Sequence, residues 1–272
     1  MHEQQVEIHP FLRAWRALNG TTASDRVPAM VDASSSSKEQ QAEKLRSLAY
    51  FPWVGACMGL LAGIPAAALG WFGSPAWLMA VVTLLADGWL TCGKLWLQLG
   101  QAVDAFVHPG DPRQQAVPSV RLRLAGRLAI AAAAGMQVLA LFSLFTAGWR
   151  VAWLALMAGY IVSRTVVALA AVAFPGAEPD LGADEGPSPA SYPASARFLI
   201  LASALPAMMV SVAGLVLMNE PLLSSLAAIL SGLAAAHLMA ELGSRRGGLT
   251  ADQRGAASFI SLLVVWIILG SF

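Results

Sequence analysis

The segment from Gly243 to Ala256 has the side chains best suited to bind phosphate. It lies between two long apolar runs and holds arginines, a threonine and an aspartate among glycines. The five side chains are Arg245, Arg246, Thr250, Asp252 and Arg254. Arginine binds phosphate oxygens through a planar fork of donors. Each arginine also fits the positive charge expected at a cytoplasmic membrane face, and Thr250 with Asp252 also fits a helix cap.

A second polar group lies inside and just after an apolar run. Asp87 and Lys94 are seven residues apart, which places them on one helical face, and Lys94 is close enough to the end of the run to reach the interface. Gln98, Gln101 and Asp104 follow at helical spacing. A carboxylate within lipid is costly unless it is paired or functional. We therefore predict a structural pair between Asp87 and Arg164, with substrate binding as the alternative.

The composition predicts the protein class that must position these residues. Hydrophobic residues make up 57% of the 272 residues and charged residues only 12%, whereas soluble domains average about 25% charge. The net charge of +1 gives no indication of a nucleic-acid partner. Cys57 and Cys92 both lie in apolar runs and do not suggest a disulfide framework. The sequence is that of an all-α, polytopic integral membrane protein.

Seven apolar runs are each long enough to cross a bilayer, which takes about 20 residues. We place them near 49–72, 75–99, 124–147, 150–174, 197–218, 221–243 and 255–271. The transmembrane domain then covers 49–272, and 1–48 is a polar leader with a possible interfacial helix from His9 to Leu18. Gly55, Gly59 and Gly63 are spaced four apart, which favours close packing against another helix.

The arginines and lysines of the loops predict the orientation. Most of them fall in the leader and in segments 100–123 and 244–254, whereas the opposite loops hold only Arg150. The positive-inside rule then puts the N-terminus in the cytoplasm and the C-terminus outside the inner membrane. Chemistry is expected on the cytoplasmic side. A solute transporter is a weaker hypothesis, because the outer loops have almost no polar residues.

Four segments together resemble the cobalamin synthases, also called adenosylcobinamide-GDP ribazoletransferases. They are FPWVGxxxG from Phe51 to Gly59, Ser163-Arg164, Glu185-Gly186, and GGxTxDxxGA from Gly247 to Ala256. They occur in the family's order, from about Arg46 to the C-terminus. One difference is Ala251, where the family usually has glycine.

The resemblance implies an integral-membrane transferase with a cobalamin-synthase-like fold. Its substrates would be adenosylcobinamide-GDP and alpha-ribazole or alpha-ribazole phosphate, and GMP would be released. The resemblance also implies Mg²⁺, since a divalent ion neutralises the pyrophosphate that is cleaved. Other cobalamin-assembly enzymes, or a second copy of the chain, are possible partners in addition to the lipid bilayer.

The acidic motif of the family, HLDGLADTxDG, is mostly replaced in this chain. Ungapped alignment puts Leu95 at the family's histidine, Leu97 and Gln101 at its first two aspartates, and Asp104 at the third. A later family aspartate corresponds to Ser119. Leucine offers no oxygen ligand to a hard cation, so these replacements weaken the expected Mg²⁺ site.

The resemblance assigns a role to each of a limited set of residues. The catalytic residues would be Asp104, Thr250 and Asp252. The phosphate-binding residues would be Arg121, Arg164, Arg245, Arg246, Gly247 and Gly248. The metal ligands would be Asp104, Asp252 and Glu185. The alternative is a paralogue that kept the fold but lost magnesium chemistry, and that acts as a corrinoid-binding or assembly protein.

Overall fold

The computed structural model describes residues 11–12, 14–15, 45–107, 122–173, 194–218, 221–244 and 251–271. Within those ranges there are eight helices of 14 to 25 residues and no strand. The helices are α1 Phe51–Trp71, α2 Ala76–Thr91, α3 Lys94–Val107, α4 Leu124–Ala147, α5 Trp149–Ala173, α6 Ala194–Leu217, α7 Leu222–Ser244 and α8 Ala251–Gly270. The predicted all-α fold is confirmed.

Helix α5 lies at the centre of the bundle. It contacts α1, α4, α6, α7 and α8, and 83% of its most apolar stretch is buried inside the protein. A helix that is apolar on all sides suits such a position, because no face has to remain in water. The polar residues that α5 does carry, among them Ser163 and Arg164, are therefore held inside the bundle.

The glycines of α1 allow it to pack closely along α5. A Cβ atom added at Gly55 would lie 2.5 Å from the carbonyl oxygen of Tyr160, and one at Gly59 would lie 2.5 Å from the Cα atom of Met157. Neither side of these contacts can move without separating the helices. The close packing expected from the spacing of Gly55, Gly59 and Gly63 is confirmed.

The second predicted span, 75–99, is wrong as a single helix. It consists of α2 and α3, which meet at an angle of 79°. Cys92 (φ 50°) and Gly93 (φ +66°) are both left-handed, and their N–H groups bond to the carbonyls of Trp89 and Gly88 at 3.2 and 2.9 Å. This is the Schellman arrangement that ends a helix. Hydropathy could not reveal it, because both sides of the break are apolar.

The described helices include five or six candidate crossings. Five of the described helices, α1, α4, α5, α6 and α8, are long and apolar enough to span a bilayer, and α2 with α3 makes a sixth if the bent pair is counted once. Helix α7 is 23 residues long, and its stretch Leu222–Ala235 is recognised as apolar by length and composition. The chain is a multi-pass membrane protein, but a count of seven is not confirmed.

The described residues of the leader contact the helical bundle. Phe11, Leu12, Ala14 and Trp15 are helical, and the ring of Phe11 lies edge-on to Tyr50 with centroids 6.4 Å apart. Ala14 is fully buried. The division of the chain at residue 48 stays a prediction.

Candidate functional site

Two of the buried charged residues, Asp104 and Arg164, lie towards one end of the bundle, which we call the polar end. At this end α1, α4 and α8 begin and α5 ends. Gly55 near the start of α1 packs against Arg164 in the second half of α5. The hydroxyls of Ser163 in α5 and Ser258 in α8 share a 2.6 Å hydrogen bond. These contacts bring the start of α1 and the first half of α8 against the second half of α5.

Arg164 is a buried cation that forms no hydrogen bond to a carboxylate in the described part of the chain. Its side chain is 3% exposed. One Nη2 N–H group donates to Met58 Sδ at 3.4 Å, and the Nε atom has no hydrogen-bond partner. Burial of an unsatisfied charged group is costly. The arginine is therefore held where an added hydrogen-bond acceptor would stabilise the protein.

Asp87 does not form the predicted pair with Arg164. Its two carboxylate oxygens accept hydrogen bonds from the hydroxyl of Tyr160 and from Nε2 of Gln137, the latter at 2.8 Å. Gln137 in turn accepts from Nε1 of Trp96 at 2.9 Å. The Asp87 and Arg164 charges still interact through space, but the carboxylate is already bonded within the core. The prediction of a direct pair is wrong for that reason.

Lys94 and Asp252 lie on two helices, α3 and α8, that pack against each other. Lys94 is the first residue of α3. One turn further along both helices, the side chain of Gln98 lies against Gly255. Helix α8 begins at Ala251, four residues before the predicted start at 255, so Asp252 is in its first turn. A carboxylate there is favoured by the helix dipole.

Asp104 caps helix α4 from the neighbouring helix α3. Its Oδ2 accepts the N–H of Arg123 at 2.8 Å, and its Oδ1 accepts the N–H of Gly126 at 2.7 Å. The carboxylate is 3% exposed. The side chain of the N-cap residue Arg123 itself makes no capping hydrogen bond. Asp104 therefore has a structural function that its sequence position did not suggest.

The other predicted site residues lie outside the described residues. They are Arg121, Glu185, Arg245, Arg246, Gly247, Gly248 and Thr250. Across the described ranges, no three His, Cys, Asp or Glu side chains are placed to hold a metal ion together. Asp104 and Asp252 thus do not make a magnesium site by themselves. Their assignment as ligands stays a prediction.

Sequence reasoning overlooked Gln137 and Tyr160 entirely, and it did not place Lys94 at a helix break. Lys94 directly follows a glycine within an apolar run, which is a possible signal for a helix break. Gln137 is a lone amide in a run of alanines and leucines. Nothing in the sequence connects it to Asp87, fifty residues earlier, since only the fold brings α2 and α4 together.

The fold and the site define a multi-pass, all-α membrane protein with charged residues gathered at one end of the bundle. A comparison with known families identifies the family to which this protein belongs. The profile described as cobalamin-5-phosphate synthase matches residues 24–270, and the chain belongs to this family. The match begins earlier than Arg46, where the resemblance in the sequence starts. Searches of curated proteins and of solved structures found no match. The family places the protein among the transferases of cobalamin biosynthesis.

Proposed function

We propose that this protein joins alpha-ribazole, or its phosphate, to adenosylcobinamide-GDP and releases GMP, and that the reaction takes place at the polar end. The convergence of three family segments supports this proposal. Gly55 of the first segment packs on Arg164 of the second, and Ser163 bonds to Ser258, next to the end of the last. Segments far apart in sequence thus meet around one buried guanidinium.

The reaction requires positive charge more than covalent chemistry from the protein. A hydroxyl of alpha-ribazole attacks the phosphorus on the corrinoid side of the pyrophosphate. The bond from that phosphorus to the GMP oxygen breaks, GMP leaves, and the hydroxyl proton passes to a base or to solvent. Negative charge grows on the phosphate oxygens as the bond breaks, and fixed cations stabilise it. Arg164 is the described arginine that is buried and lacks an acceptor for its Nε N–H group.

The described residues do not fit the Mg²⁺ that the family resemblance implies. Asp104 already binds two backbone N–H groups, and Leu97 and Gln101 stand where the family has carboxylates. The resemblance implies Glu185, Asp252 and Asp104 as ligands of an ion that would neutralise the pyrophosphate, and that ligand set stays a prediction. We assign no step of the reaction to this ion.

Transfer assays on protein purified into lipid nanodiscs test the proposal. The substrates are adenosylcobinamide-GDP and alpha-ribazole phosphate, titrated with Mg²⁺, and GMP release is measured. Arg164→Gln should lower kcat/KM by roughly 10- to 100-fold, the equivalent of one charged hydrogen bond. Arg150→Gln is the matched control, because Arg150 is at the opposite end of α5 and lies over the Trp149 ring. Equal losses in both variants would contradict the proposal.

A corrinoid-binding or assembly protein is the second candidate. The observation that favours it is the loss of carboxylates along α3, together with the use of the remaining one, Asp104, as a helix cap. This candidate predicts equal binding of adenosylcobinamide-GDP with and without Mg²⁺, and no release of GMP by folded protein. Measurable turnover would exclude it.

We also propose that the polar end faces the cytoplasm, with the protein in the inner membrane. Ser74, between α1 and α2, is then on the outer side. A cysteine at Ser74 in a chain without Cys57 and Cys92 should react with a membrane-impermeant thiol reagent added to intact cells. If this cysteine reacted only after cell lysis, the orientation would be the opposite of the one proposed.

A further inference from the structure

We propose that a groove between the start of α1 and helix α6 binds the headgroup of one anionic phospholipid, whose phosphate accepts hydrogen bonds from Arg46. This groove, which we call the α1–α6 groove, has a volume of about 510 Å³ and is lined by Arg46, Ala49, Tyr50, Trp53, Leu199 and Ser203. Small-ligand sites have volumes of roughly 300–1,000 Å³. The inference is independent of the transferase reaction, because binding is measured without the substrates.

Helical periodicity builds the walls of the α1–α6 groove. Residues 45–49 are helical and lead into α1. Arg46, Tyr50 and Trp53 are four and three residues apart, so they lie on one face of this segment. The opposite wall comes from one turn of α6, which contacts α1. Arg46, Trp53 and Leu199 are exposed, so the groove opens at the outside of the bundle, where a multi-pass membrane protein contacts lipid.

The α1–α6 groove has the side chains that suit a lipid headgroup. Arg46 is five residues before Phe51, the first residue of α1, and so lies at the polar end. A guanidinium binds phosphate oxygens through its planar fork of donors, and tyrosine and tryptophan favour the headgroup level of a membrane. Tyr50 and Trp53 thus mark the depth at which Arg46 meets lipid phosphates. Basic pockets between membrane helices bind anionic headgroups for these reasons.

The wall provided by α6 suits acyl chains better than a soluble phosphate. The hydroxyl of Ser203 donates its one proton to the carbonyl of Ile200 at 2.8 Å, so that proton is not offered to a phosphate. Further from the polar end, Leu205 and Val210 are 58% and 62% exposed. A phospholipid would use both parts, the cation for its headgroup and the apolar surface for its chains. A soluble anion would use only the cation.

Native mass spectrometry of the full chain measures the Kd of the first bound lipid. The probes are dioleoylphosphatidylglycerol, which is anionic, and dioleoylphosphatidylcholine, which has the same chains and no net charge. We expect the anionic lipid to bind roughly 5-fold more tightly, the effect of one cation near a membrane surface. Arg46→Gln should remove this preference, and Arg46→Lys should retain most of it.

Arg127→Gln is the matched control for the loss of positive charge. Arg127 is an exposed arginine near the start of α4, and it is therefore at the same end of the bundle as Arg46. Helix α4 packs on α2, α3, α5 and α8, and Arg127 does not line the α1–α6 groove. This variant should keep the preference for the anionic lipid.

Two substitutions on α6 test the place of the site. A phenylalanine at Ser203 would fill part of the groove, so Ser203→Phe should remove the preference although Arg46 is retained. Leu128→Phe, which adds a ring at an exposed position of α4, should not. Leu199→Arg adds a second cation to the groove and should tighten the binding of phosphatidylglycerol by a further factor of about 5. Because this change is a gain, a folding defect cannot produce it.

The inference fails on any of four results. Equal binding of the two lipids by the unaltered chain would show that the headgroup charge is not recognised. Equal losses in Arg46→Gln and Arg127→Gln would indicate nonspecific attraction, and a preference that survives in Ser203→Phe would place the lipid on another surface. Inorganic phosphate tests the other source of the same group. If lipid-free protein bound it saturably and Arg46→Gln did not, the groove would be a site for a soluble phosphate.

Discussion

Replacement of Asp104 by alanine should destabilise the protein through helix α4. The carboxylate accepts two short backbone hydrogen bonds, 2.8 Å from Arg123 and 2.7 Å from Gly126, in a place that is almost fully buried. Loss of both acceptors leaves two N–H groups without partners, each at about 1–3 kcal/mol. Water that enters at the helix end can hydrogen-bond to these N–H groups and restore part of the lost free energy. We expect the free energy of unfolding to fall by about 2–4 kcal/mol.

Asp104→Asn distinguishes a cap from a metal ligand. Asparagine is among the best capping residues, and its carbonyl oxygen can keep one of the two bonds, so the loss should be only about 1–2 kcal/mol. A cap predicts that this variant, once folded, still transfers ribazole. A magnesium ligand predicts that it folds but releases no GMP, since an amide is a much weaker ligand for a hard cation.

Unfolding titrations in mixed micelles measure the stability of each variant. Gln101→Ala is the control, because Gln101 is three residues earlier on α3 and is half-buried. We expect that variant to lose under about 1 kcal/mol. Hydrogen exchange at Gly126 should quicken in Asp104→Ala and remain unchanged in the control. The capping argument fails if Asp104→Ala is as stable as Gln101→Ala.

Three further sets of substitutions test the packing, the buried polar network and the helix break. Gly59→Ala should lower the free energy of unfolding by about 1–3 kcal/mol in the same titration. Gly135→Ala, with open space at the Cβ position, should leave it unchanged or raise it by up to about 1 kcal/mol. An equal loss in both variants would contradict the close helix contact. Gln137→Leu should lower the free energy of unfolding by about 1–3 kcal/mol, because it removes a donor to Asp87. The double variant with Asp87→Leu should lose less stability than the sum of the two single variants. Strict additivity would show that the two groups are not coupled. Cys92→Gly should raise the stability by up to about 1 kcal/mol, and Cys92→Val should lower it by about 1–2 kcal/mol. A valine variant more stable than the glycine variant would argue against the left-handed break.

The sequence predicted the part of the candidate site that depends on residue type. Arg164 could be recognised as exceptional because a guanidinium within an apolar run must find a compensating group. Asp252 could be assigned to a helix start, since carboxylates favour the first turn. Asp87 was recognised as buried, but its partners were not. They come from α4 and α5, and no spacing along the chain selects Gln137 or Tyr160 rather than Arg164.

The sequence by itself determined the class, the family and the close-packed face of α1. Hydropathy depends on composition within a window, and the glycine spacing depends on helical periodicity, so both can be read locally. Only the tertiary structure decided that the second span breaks at Cys92, that Asp104 caps α4, and that Asp87 bonds to Gln137 and Tyr160. Each of these depends on a contact between distant helices or on a backbone conformation that apolar side chains do not encode.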